Sequence, residues 1–594
     1  LQCASQKEIM LTRVQHILHR QARRIRARMR ILVPIACLAM LPTAWPNLVS
    51  GSENNAFAAQ EVRTALAAMP QQDSPSAEDA SLRHSLSQMY AHRAFAPLWF
   101  AEGHSTPQAG ALILELNHAE ERGLRPGDYA LPAHAPPGDL PAATDIARMD
   151  VALSLAAARF IRDLHSGRVT PRAVGYDLQV VKPAFDPGRT LAELATSASL
   201  PTALTALEPQ LLHYRLLKEA LARYRRLSSQ PQLNRLPDLG KSRVRPGEVY
   251  AGAPALRRLL VSLGDMPQPA PADESLVLDE STVRALKVYQ GRHGLALDGV
   301  LGRETYQALV TSFTDRVKQI DLSLERWRWL PATLDAPSIF VNIPQFRLFA
   351  LYTTADVEQQ MLRMDVIVGK SYPMMQTPVF AADMRYIVLH PYWDVPYSIL
   401  KRELLPLIER DPTYIARNDY EIVQGQTPTA NAQAVTPETL GALARGTLRL
   451  RQNPGPKNPL GFVKFVFPNR YDVYLHGTSA PTLFGQTRRA LSHGCIRVAD
   501  PMALIDYVLR NNPDWSRERV EQQLQDPEPQ WIKLPRPIHV FIVYTTALAA
   551  EDGRTLFFHD IYGHDRKLQA LLDNHSRKLA GAGVSNFPNG TARK

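Results

Sequence analysis

From residue 62 to about 244 the apolar positions recur at helical spacing. Over residues 152–165, Leu153, Ala156, Ala157, Phe160 and Leu164 share one face, and Gly167 follows as a stop. Residues 82–90 read the same way, so the pattern predicts a helical scaffold with no catalytic constellation. His84, His92, His118 and His165 lie scattered through it without ligand spacing. In residues 252–313, Val283, Leu286 and Tyr289 or Gln290 predict one short helix. Asp298-Gly299 supplies a tight turn, and Thr305, Tyr306 and Leu309 predict a second helix. After Asp315 the period changes to two. Ile339, Val341 and Ile343, then Phe346, Leu348 and Ala350, alternate as in a hairpin, and further strands are expected at 364–368, 386–390, 462–467, 471–476 and 540–544.

Two features interrupt this β-rich region. Asp500-Pro501 pairs an N-cap residue with proline at the first helical position and opens a helix through Leu509. Residues 395–459 form a long insertion with a helix at 398–410 and a polar loop at 427–436, the length of a functional lid. The reading is a multidomain α+β protein: a segment at 1–58, a helical scaffold at 62–244, a small helical module at 252–313, a mainly-β catalytic domain at 318–570 and a flexible tail at 571–594.

Composition changes the picture mainly at the N-terminus. Residues 20–30 are rich in arginine, 31–45 are apolar, and Ala56-Phe57-Ala58 has the small-x-small pattern of a signal-peptidase site. A start at Met29 would give this segment ordinary signal-peptide length, and the expectation is export to the periplasm, with an uncleaved inner-membrane anchor as the alternative. The eight basic and two acidic residues of 1–58 account for +6 of the formal +11, leaving +5 on the rest. That excess does not point to nucleic acid; it suits a partner bearing free carboxylates, such as a cell-wall polymer.

The candidate chemistry sits in HGTSAPTLFGQTRRALSHGCIRV, from His476 to Val498. Cys3 and Cys37 fall in the export segment, which leaves Cys495 as a lone thiol with no disulfide partner. It follows His493 and Gly494 and precedes Arg497. A thiol, imidazoles to activate it, a glycine that frees the backbone and a nearby cation outline a cysteine acyl-transfer site. Period-two alternation sets Val473 and Leu475 on one face of the 471–476 strand, with Asp472, Tyr474 and His476 on the other. Backbone N–H groups around Gly494 and Cys495 are candidates for an oxyanion hole. Spacing does not choose between His476 and His493 as base. A zinc site fails for want of ligands, since His493 and Cys495 are one residue apart and no further acidic or thiol ligand is evident nearby. The reading therefore calls for no metal and no cofactor.

The order His476, Ser492-His493-Gly494-Cys495, then Ile496 resembles the signature of the L,D-transpeptidase (YkuD-type) catalytic domain. Arg497 stands where the short motif has Asn, as in large periplasmic members of the family. ESTVRALKVYQGRHGLALDGVLGRETYQAL resembles the peptidoglycan-binding domain, and PYWDVPYSI and NPLGFVKFVFPN extend the likeness of the catalytic part. The resemblance implies that Cys495 attacks the third residue of a tetrapeptide stem, releases D-alanine, and passes the acyl group to a neighbouring stem as a 3-3 cross-link. It assigns the base to His476, oriented by the carbonyl of Gly477, with His493, Gly494 and Ser492 shaping the site and Arg497, Tyr474 and Trp393 as substrate contacts. It also implies acylation by carbapenems. Peptidoglycan stem peptides and other wall-synthesis enzymes are the expected partners. Two alternatives stay open: a carboxypeptidase or wall-amide hydrolase using the same cysteine, and a non-catalytic wall-binding scaffold. Arg445, Arg449 and Arg451 of the insertion are expected to attract wall carboxylates.

Overall fold

A computed structural model describes residues 50–69, 77–131, 142–178, 180, 182, 184–267, 274–334, 337–351, 361–429 and 434–583. Most of the segment expected to direct export therefore lies outside the described residues. The expected cleavage point after Ala58 falls within helix Ser50–Ala67. Among the described residues no helix is long and apolar enough to cross a membrane. Residues from Phe57 onward form one compact unit.

Within that unit the first layer is helical. Helix Ala143–Ser166 buries Leu153, Ala157, Phe160, Ile161 and Leu164 against helices Ala77–His92, Pro107–Asn117 and Pro187–Ala195. Asp150, fully buried in this core, accepts hydrogen bonds from the Leu98 and Trp99 N–H groups and from Tyr90. A buried carboxylate is tolerable only with such partners, so this cluster is structural. Helices Glu280–Arg292 and Arg303–Val310 form the small module. Gln290 ties them by donating to Asp298 and Thr305 and accepting from the N–H of Gly299. Its core merges with helices Leu212–Ser228 and Phe313–Trp327 and with Phe557 of the β-rich part, so the modules share one interior.

Strand character begins later than the period suggested. Residues 313–327 are helical, because Ile320, Leu322 and Leu324 pack between the small module and the barrel. The sheet then comprises β1 (Ser338–Asn342), β2 (Arg347–Leu351), β3 (Leu362–Gly369) and β4 (Phe380–Leu389). β5 (Trp393–Asp394), β6 (Tyr420–Gln424), β7 (Thr427–Pro428) and β8 (Arg449–Gln452) follow within or beside the insertion. The sheet resumes with β9 (Val463–Val466), β10 (Leu475–His476), β11 (Ala490–Ser492), β12 (Ile496–Val498) and β13 (Gln530–Val543). The order is β11-β3-β12-β10-β9-β4-β13-β1-β2, and a β2–β3 pairing closes it on itself. Closure removes the free edges of a strongly twisted sheet. Helix Pro501–Leu509, capped by Asp500 as its sequence predicts, packs Leu504, Ile505 and Val508 into the barrel core.

Three expectations change here. The strand predicted over 471–476 shrinks to Leu475–His476, because Asp472 adopts φ +52° in a turn organised by Asn469. The Asn469 side chain accepts from the N–H groups of Tyr471 and Val473 and donates to the carbonyls of Phe467 and Val473. The tail expected from residue 571 is helical as far as it is described. Helix His564–Gly583 buries Leu568 and Leu572 in the barrel core. The insertion is more than a helix and a loop: β7-β6-β8-β5 make an antiparallel sheet around their own core of Val395, Leu400, Ile408, Ile422, Leu443 and Leu450. It is a small folded cap.

Candidate active site

Strand pairing, rather than sequence proximity, assembles the site. β10 lies between β9 and β12, with His476 opposite Lys464 on one side and opposite Arg497 on the other. Leu475 and Ile496, also paired, point into the core and are fully buried. Alternation therefore places Tyr474, His476, Cys495 and Arg497 together on the opposite face. The Ile496 N–H donates to the Tyr474 carbonyl at 3.1 Å, which brings Cys495 beside Tyr474.

The Cys495 thiol donates to the backbone carbonyl of Asp472 across 3.6 Å. The positive φ of Asp472 sits at the foot of the Asn469 turn, so this acceptor is a product of that turn. Burial pushes the thiol above its ordinary range. The N–H and side chain of Tyr474 and the charge of Lys464 oppose that, whereas Asp472 reinforces it. Tyr474 itself is raised well above the usual phenol range, by burial first and then by Cys495.

His476 is buried, and among the described residues its Nδ1 has no hydrogen-bond partner. Burial, then Arg497, and further on Lys464 lower it to about 3, against the backbone of Gly477 and Pro459. Its imidazole is thus neutral at neutral pH, the form in which it can accept a proton. The NPLG segment packs closely against the backbone that follows His476. Gly461, at φ +64°, lies so close that a Cβ there would come within 2.6 Å of the Thr478 nitrogen and 3.0 Å of the Gly477 carbonyl carbon. Only glycine fits this approach.

The loop before Cys495 is tightly specified. Ser492 Oγ donates to the Cys495 carbonyl at 2.6 Å and accepts from the Gly494 N–H at 3.1 Å. Gly494 adopts φ +123°, a conformation open to glycine, and its carbonyl accepts from Thr377 Oγ1 at 2.7 Å. The Gly494 N–H is therefore engaged and unavailable as an oxyanion donor. Among the described residues the Cys495 N–H makes no hydrogen bond.

His493 faces away from this row. Its Nε2 lies 2.6 Å from Glu403 Oε1, on the π-helical turn Leu400–Leu404 of the cap. Trp393 is half-buried and packs towards Tyr420 at 6.3 Å between ring centroids, within the cap. Arg497 is partly buried, its Nε has no partner among the described residues, and burial lowers it from the ordinary guanidinium range. Two of the cap arginines expected to face the wall are engaged internally. Arg451 pairs with Glu421 at 2.5 Å and stacks on Tyr392, and Arg449 donates to the Gly425 carbonyl. No group of metal-ligating side chains occurs among the described residues.

Residues 336–521 match the L,D-transpeptidase catalytic domain family, a span that holds β1 to β12, the cap and every residue of this site but not β13. The chain carries an L,D-transpeptidase catalytic domain. Residues 252–309 match a family described as "Putative peptidoglycan binding domain", and residues 84–221 match the Scaffold domain. A curated relative from Haemophilus influenzae, "Putative L,D-transpeptidase", is 31% identical over 279 residues, 46% of this chain. The chain matches 54% of that relative's length. The solved L,D-transpeptidase of Xylanimonas cellulosilytica aligns with 52% of this chain and all of its own, at 14% identity. Its TM-score of 0.16 is too low to speak for a shared fold.

Sequence reasoning missed Lys464, Glu403, Asp472 and Thr377 as residues of this candidate site. Lys464 stood within the NPLGFVKFVFPN string, and period-two counting along 462–467 could have set it apart from Val463 and Phe465. Nothing local marks Glu403 or the carbonyl of Asp472.

Proposed function

We propose that this protein is a periplasmic peptidoglycan L,D-transpeptidase that forms 3-3 cross-links through an acyl-enzyme on Cys495. The observation that supports this reading best is the shared face of β10 and β12, where a lone thiol and a neutral imidazole sit beside a folded cap. The proton of Sγ passes to His476 as sulfur attacks the carbonyl of the third stem residue, and the same imidazole returns it to the departing D-alanine amine. His476 at about 3 is neutral throughout the working range, so the resting site is a thiol beside an imidazole. The acyl-enzyme is then aminolysed by the side-chain amine of a neighbouring stem. The small helical module binds the wall polymer, and the N-terminal segment directs export.

Transfer rather than hydrolysis requires that water be excluded and the acceptor amine held close. The cap favours transfer, because it is a folded subdomain joined to the nucleophile loop through His493 and Glu403. The test is mass spectrometry of wall fragments incubated with the protein. Cross-linked dimers with loss of D-alanine are expected. Trimmed tripeptides alone would make it a carboxypeptidase, and no product from a folded, wall-binding protein would make it a scaffold. A carbapenem should give one covalent adduct, absent in Cys495→Ala.

A further inference from the structure

Lys464 belongs to none of the roles given above, yet it lies in the row of the nucleophile. It stands opposite His476 in the β9–β10 ladder, and its Nζ lies 3.9 Å from the centre of the Tyr474 ring. Tyr474 is the residue beside Cys495. An ammonium over a ring face is held there by the ring quadrupole. Among the described residues Lys464 makes no ion pair. A partly buried cation without a carboxylate partner is costly, and an anion forming nearby offsets that cost.

The charged and titratable groups facing the thiol can be taken strand by strand. Arg497 comes from its own segment, whose His493 is turned away to Glu403 of the cap, and His476, Tyr474 and Asp472 come from β10 and the turn before it. Lys464 comes from β9 and Asp394 from the edge of the cap. Asp472 opposes a thiolate and His476 is neutral, so neither supplies positive charge. Of the two cations, Arg497 also feels Cys495, but Lys464 is the one that draws the thiol down most. The influence is mutual for Lys464: Cys495 is the largest charge acting to keep it protonated, ahead of Asp394 and Asp472.

We propose that Lys464 is a positioning residue for the nucleophile: its ammonium, seated on the Tyr474 ring, supplies the positive field in which Cys495 Sγ loses its proton. The inference rests on Cys495 being the reactive thiol, but not on which acyl acceptor the enzyme uses.

The experiment is alkylation of the full chain by iodoacetamide across pH, with modification of Cys495 read by peptide mass spectrometry. In this reaction the Sγ proton passes to solvent base, an Sγ–C bond forms and iodide leaves. Lys464→Met should alkylate about tenfold more slowly at neutral pH, with its profile displaced to higher pH. Lys464→Arg should restore the wild-type profile, which a merely structural role for the alkyl stem would not require. A folded Lys464→Met protein with an unchanged profile overturns the proposal, as does a Lys464→Arg profile displaced like that of Met. If Lys464→Met does not fold, Lys464→Arg against Lys464→Gln makes the same comparison. Failure of the transpeptidase reading would show separately, as absent cross-links in a wild-type protein whose Cys495 still alkylates.

Discussion

His493 Nε2 and Glu403 Oε1 lie 2.6 Å apart, joining the loop that carries the nucleophile to a π-helical turn of the cap. π-turns within helices are uncommon and concentrate at functional sites. The pair is partly exposed, with side-chain exposures of 29% and 43%, so its contribution to stability is small, below about 1 kcal/mol. Its value lies in geometry. Glu403→Gln should leave thermal unfolding nearly unchanged and shift product from cross-links towards tripeptide hydrolysis. Quantifying both products from one digest checks this; an unchanged ratio would leave the contact without a catalytic part.

Cys495→Ala should abolish cross-linking and carbapenem adducts while the protein stays folded. His476→Gln should reduce the rate of thiol acylation by about 100-fold or more, the usual contribution of a positioned base. His493→Gln should retain most acylation, because its ring is turned to the cap. A reversed order of the two histidines would exchange their roles.

Acid should destabilise the fold through His476. Its folded value of about 3 lies below the ordinary 6.5, so the unfolded chain binds the proton more readily. Stability from this group is complete above about pH 6.5 and falls as pH drops towards 3, by about 1.4 kcal/mol per unit. His165 and His564, each lowered to about 4 with burial as the main cause, act in the same direction. Urea unfolding of wild type and His476→Gln at pH 7 and pH 5 should show a shallower loss for the variant. Parallel losses would mean the imidazole is protonated in the folded protein.

The cap should behave as a folding unit in its own right. Leu443, fully buried on helix Pro437–Arg445, packs with Ile408, Ile422 and Leu450. Leu443→Ala should cost about 2–4 kcal/mol there, by lost transfer and a residual cavity. Hydrogen exchange should quicken in β6 and β8 but not in β4 or β13. Cross-linking should fall more than acylation by a small carbapenem. Replacing residues 424–446 with a flexible linker removes this helix and uncovers the cap core, so the point substitution is the cleaner probe of a lid.

Much of the site was legible in the sequence because its chemistry is written in local strings. Ser492-His493-Gly494-Cys495 marks the candidate nucleophile, and the NPLG glycine and the Asp500 cap behave as their residue types require. The misreadings share a cause. Helix Phe313–Trp327, the shortened β10 and helix His564–Gly583 are each decided by what packs against them or by a side chain several residues away.

The sequence by itself determined the candidate thiol, the order of helical scaffold, small helical module and β-rich domain, and the need for glycine beside the thiol. Those follow from residue chemistry and short-range periodicity. Only the tertiary structure decided that Lys464 and Arg497 flank His476, that the thiol faces the Asp472 carbonyl, and that His493 turns to the cap. Each depends on the register between strands far apart in the chain. A shift of one residue would turn every one of these side chains to the other face, and the burial of Leu475, Phe465 and Ile496 in the core is what fixes that register.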